Sequence, residues 1–116
     1  MNLPSRELLS NVFNTNVDKN SISIDADNCI SFNSGKEKVY PYFLISPKLI
    51  NIYELAHKCK EWAFNQNYTI RTAKWDKDYY EAKILGHYLT TKKKLIKAIT
   101  EPEAVFKACD YILKEK

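Results

Sequence analysis

The sequence predicts an α+β fold: a small antiparallel sheet packed by two or three amphipathic helices, its C-terminal portion ordered α-β-β-β-α. Two helices carry both a capping signal and an apolar stripe of helical period, over 51–67 and 100–113. Between them, residues 68–85 alternate with period two across an Asp-Lys-Asp turn, as a hairpin does. The chain of 116 residues fits one domain, 1–116.

The elements follow in order. Leu8, Leu9, Val12 and Phe13 predict a first helix from Pro4 to about Asn14, followed by an Asn-rich loop to Asn20. Ile22 and Ile24, then Ile30 and Phe32, alternate on either side of Asp27-Asn28 and predict a hairpin over 21–25 and 29–33. A further strand is expected over Val39–Ile45, on an edge because of Pro41. Asn51 with Glu54 three residues on has capping-box spacing, and Ile50 with Leu55 that of a hydrophobic staple. Ile52, Leu55, Ala56, Cys59, Trp62 and Ala63 then form one apolar face, which Asn65-Gln66-Asn67 ends. Tyr68, Ile70 and Thr72 point one way from the next strand, and Thr69, Arg71 and Ala73 the other. Residues 79–85 return, and Gly86 breaks them. Residues 93–99 read as a third strand by alternation, or 89–99 as a helix by the helical spacing of Leu89, Lys93, Ile96 and Lys97. Thr100 caps the last helix, Pro102 lies in its first turn, and Glu101 and Glu103 suit its positive end. Val105, Ala108, Cys109, Ile112 and Leu113 form its stripe.

The formal charge is +4, and residues 68–99 carry all of that excess. There Arg71, Lys74, Lys77, Lys83, Lys92, Lys93, Lys94 and Lys97 face only Asp76, Asp78 and Glu81. The same block holds Tyr68, Trp75, Tyr79, Tyr80 and Tyr88. Aromatic platforms beside cations bind single-stranded nucleic acid, because stacking tolerates any base while cations follow the backbone. Arg71, Lys74, Lys77, Lys83, Lys92, Lys93 and Lys94 are therefore the candidate polyanion contacts, and the five aromatics the candidate stacking residues. The plainer account is that half the aromatics pack beneath the helices while Lys keeps a sheet soluble.

No catalytic, cofactor or metal site is expected. Cys29, Cys59 and Cys109 are odd in number and widely spaced, and read as reduced thiols in a cytoplasmic setting. His57 lies on a polar helix face with no partner at helical spacing, and His87 follows Gly86 in a turn, so neither completes a zinc set. Two glycines cannot build a phosphate-cradling loop, and no nucleophile has a base beside it. No signal peptide is expected, and the 116 residues hold no membrane-length apolar run.

INIYELAHKCKEWAF (50–64) and TEPEAVFKACDYIL (100–113) resemble segments of small uncharacterised proteins encoded by bacteriophages and prophages. That resemblance implies an accessory protein of a bacterial cytoplasm that acts by binding; with the small size and absent catalytic motifs, the expectation is a non-enzymatic protein that binds another protein or associates with itself. The order α-β-β-β-α is also similar in topology to the double-stranded RNA-binding domain. That family opens its second helix with lysines, where this chain has Glu101, Pro102 and Glu103. The expected function is protein binding; the alternative is non-specific nucleic-acid binding through residues 68–99.

Overall fold

The computed structural model describes residues 3–33, 48–86 and 94–115. The expected strand over 39–45, together with Lys92, Lys93, His87 and Tyr88, lies outside them.

Among the described residues the architecture is α+β, with three helices and two three-stranded antiparallel sheets. Helix α1 (Arg6–Val12) is shorter than expected. The Ser5 hydroxyl accepts from Leu8 N at 3.1 Å and so marks the start, and Asn14 at φ 51° turns the chain away beyond the other end. A 3-10 turn (Lys19–Ser21) leads into β1 (Ser23–Ile24) and β2 (Cys29–Phe32), the predicted hairpin. Its turn is held by Asp25 Oδ1, which accepts from Asp27 N at 2.9 Å and Cys29 N at 3.0 Å, with Asn28 left-handed at φ 60°. Strand β3 (Lys48–Asn51) pairs with β2, a strand the sequence reading missed because its last residue doubles as a helix cap.

Asn51 caps α2 (Ile52–Asn65) by accepting from Tyr53 N at 2.9 Å. All six residues of its predicted apolar face are buried. Asn67, at φ 72°, turns the chain sharply into β4 (Tyr68–Asp76). Strand β4 pairs with β5 (Tyr79–Gly86), and β5 with β6 (Lys94–Ala98). Residues 94–98 are thus a strand, and of the two readings of this segment alternation holds. Thr100 then caps α3 (Glu101–Lys114), its hydroxyl accepting from Glu103 N at 3.3 Å.

Residues directly opposite in an antiparallel ladder share a face. One face of the second sheet carries Ile70, Ala82, Ile84 and Ala98, all buried, under α2 and α3. Helix α3 spans all three strands and also touches α1 and α2, which explains why Pro102, Glu103, Ala104 and Phe106 are buried beyond its predicted stripe. A single core joins Leu8, Leu9 and Val17 of the N-terminal part, Ile30 and Phe32 of the first sheet, and the helix-covered face of the second. Thr72 marks the polar end of the seam. Its hydroxyl donates to Glu101 Oε1 at 2.8 Å while Lys60 Nζ donates to Thr72 Oγ1 at 3.2 Å, tying α2, β4 and α3 together.

Candidate functional site

The second sheet has another face, which no described element covers. Alternation places Thr69, Arg71 and Ala73 of β4 on it, with Tyr79, Glu81, Lys83 and Leu85 of β5 and Leu95 and Lys97 of β6. Three strands fix the rows. Arg71 stands opposite Lys83, which stands opposite Leu95; Ala73 stands opposite Glu81, which stands opposite Lys97. Leu95 is 51% exposed, and Ile99, one residue past β6, is 76% exposed. A bulge between Lys74 and Asp76 returns Asp76 to this face opposite Tyr79.

The predicted basic residues divide between the two faces. Arg71 and Lys83 lie on the open one. Lys74 and Lys94 belong to the helix-covered face, where their Nζ atoms rest 5.9 Å from the ring centre of Tyr80 and 5.4 Å from that of Tyr111. Both lysines are exposed, each with its charge near a tyrosine ring. Lys77 is exposed in the β4–β5 turn.

The predicted stacking residues also separate, so they do not form one platform among the described residues. Tyr68 and Tyr80 pack against the core from the helix side, whereas Tyr79 is on the open face. Tyr79 already carries Lys97 Nζ 5.0 Å from its ring centre. The side chain of Trp75 is outside the described set. A strand shows alternate residues to opposite faces, so an unbroken Tyr79-Tyr80 pair cannot act on one ligand surface.

Sequence reasoning missed the exposed aliphatics Leu95 and Ile99, although the alternation of Leu95, Lys97 and Ile99 was the available signal. It also took His57 to be without a partner at helical spacing. His57 Nε2 lies 2.8 Å from Glu61 Oε1, four residues on, and both side chains are exposed.

Other reactive groups are committed to structure. Cys109 Sγ donates to Cys59 O at 3.5 Å in the α2–α3 seam. Hydrogen bonding with Cys59, followed by burial, pushes the Cys109 thiol far above the ordinary range, so it is a packed, unreactive group. Burial, then Asp25, Asp27 and Glu54, raise the Cys29 thiol. Asp110 is raised by burial and drawn back by the Ser5 hydroxyl, which donates to its Oδ1 at 2.6 Å, and by Lys114. Among the described residues no three His, Cys, Asp or Glu side chains gather as a metal site, and no helix is long and apolar enough to cross a membrane.

No family model, curated protein or solved structure matches this chain.

Proposed function

We propose that this protein is a non-enzymatic accessory protein, of the kind phages and prophages encode, which acts in the cytoplasm by binding another protein through the open face of β4–β6. One observation carries the reading: a three-stranded sheet is packed by helices on one side and left uncovered by any described element on the other, with Leu95 exposed on that face and Ile99 exposed just past β6. Exposed aliphatics at a sheet edge contribute little to the monomer, and protein interfaces bury such groups beside charged ones. The face has aliphatics where a nucleic-acid platform would need several aromatics, which favours protein over nucleic acid as the partner.

The test is capture from a bacterial lysate by the immobilised protein, before and after nuclease treatment. A partner should be retained after nuclease and lost with Leu95→Glu or Ile99→Glu. Tyr53→Glu, on the solvent side of α2, should leave it unchanged. Recovery of nucleic acid alone, or equal capture by all variants, would overturn the proposal.

A further inference from the structure

Arg71 and Lys83 stand directly opposite each other on adjacent strands at the middle of the open face. Like charges in that relation repel. Among the described residues neither has an acid within ion-pair distance. Glu81 lies one row along on the same face, two residues from Lys83 and opposite Lys97, and makes no ion pair with either member of the pair among the described residues. Helix packing does not explain the pair, because both side chains leave from the side the helices do not touch. Leu95 completes the same row, directly opposite Lys83.

Resting on the protein-binding reading above, we infer that the partner presents an acidic amphipathic helix, with a carboxylate seated between Arg71 and Lys83 and an aliphatic side chain one turn away on Leu95. The spacing supports this occupant. Neighbouring strands are about 4.8 Å apart. Helix residues three or four apart have Cβ atoms about 5–6 Å apart. A helix laid across the strands, with an acid reaching the Arg71–Lys83 pair, has its neighbouring turn on the Leu95 side of the same row. The arginine fork can hold both carboxylate oxygens while Lys83 adds a point charge from the facing strand. Of the other residues beside the pair on this face, Thr69, Ala73 and Leu85 are uncharged, and Glu81 is the one acid.

The probe is a fluorescein-labelled, 18-residue designed peptide with Glu and Leu on one helical face, about four residues apart. Its counterpart has every Glu replaced by Lys. Anisotropy at low salt should show the Glu peptide binding at least about tenfold tighter than the Lys peptide, with the preference shrinking as salt screens the charges. The double variant Arg71→Glu/Lys83→Glu should invert that preference. Leu95→Ser should weaken the Glu peptide about tenfold without inverting it. Circular dichroism on each variant confirms that these exposed changes leave the fold intact, and Arg71→Ala/Lys83→Ala supplies a milder pair that should abolish the preference. Equal binding of the two peptides, an unchanged preference in the double variant, or tighter Arg71- and Lys83-dependent binding of a 20-nucleotide oligo(dT) overturns the inference. A lysate partner lost with Leu95→Glu but indifferent to Arg71→Glu/Lys83→Glu overturns it too, while leaving the reading of the face intact.

Discussion

Ile84→Ala and Leu95→Ala remove comparable aliphatic groups from adjacent strands of one sheet, and the fold assigns them opposite outcomes. Ile84 is 1% exposed on the central strand, opposite Ile70 and beneath the helices; Leu95 is 51% exposed on the other side. Truncating Ile84 deletes three carbons, worth about 2.4 kcal/mol of transfer free energy at roughly 0.8 kcal/mol each. The cavity left between a sheet and two helices adds to this, giving a total of about 3–4 kcal/mol. With an unfolding entropy of roughly 2.1 cal/mol/K per residue over 116 residues, the melting temperature should fall by about 12–16 °C. Leu95→Ala should stay within about 0.5 kcal/mol, as surface substitutions do. Urea melts followed by circular dichroism, with the m-value checked for constancy, measure both. Losses of similar size for the two variants would refute the two-faced description of the sheet, and with it the docking surface. A loss below about 1 kcal/mol for Ile84→Ala would refute the packing of α2 and α3 on the face that carries Ile70 and Ala82.

Thr100→Ala removes the side chain that receives Glu103 N and should cost about 1 kcal/mol in urea melts, with Thr100→Ser recovering most of it. Burial raises the Asp110 carboxyl above its unfolded value, so the folded state holds the proton more tightly. Its contribution is therefore greatest below the unfolded pKa and is lost as pH rises through the folded one. Asp110→Asn should flatten that fall in a stability-versus-pH series. Ser5→Ala should enlarge it, because the hydroxyl that steadies the carboxylate is gone, and should also cost the α1 cap. A thiol reagent under native conditions should modify Cys29 alone, and slowly, whereas Cys59 and Cys109 should react only at the rate of unfolding.

The two long helices were legible because their determinants are local. Asn51 and Thr100 act on amides two and three residues away, and the stripe from Ile52 to Ala63 needs only the helical period. The β4–β5 hairpin was legible for the same reason, its turn and alternation lying within nineteen residues, 68–86. Strand β3 was not, since its partner β2 lies on the far side of residues 34–47 and its end is the α2 cap. The α1 boundary also depended on distance: Ser5 reaches Asp110, 105 residues away, while capping its own helix.

The same distinction runs through the candidate site. Composition alone established a basic, tyrosine-rich block, and alternation established that its residues divide between two sides. It could not establish which side the helices would cover, because both sides of β4–β6 carry cations and aromatics. Tertiary packing decided that. Ile70, Ala82, Ile84 and Ala98 turn inward beneath α2 and α3, taking Tyr68, Tyr80, Lys74 and Lys94 to the covered side. Arg71, Lys83, Leu95 and Lys97 are left outside by the same choice. Burial of apolar area is a property of both partners in a contact, so which face of a strand becomes surface is settled only when the helices dock.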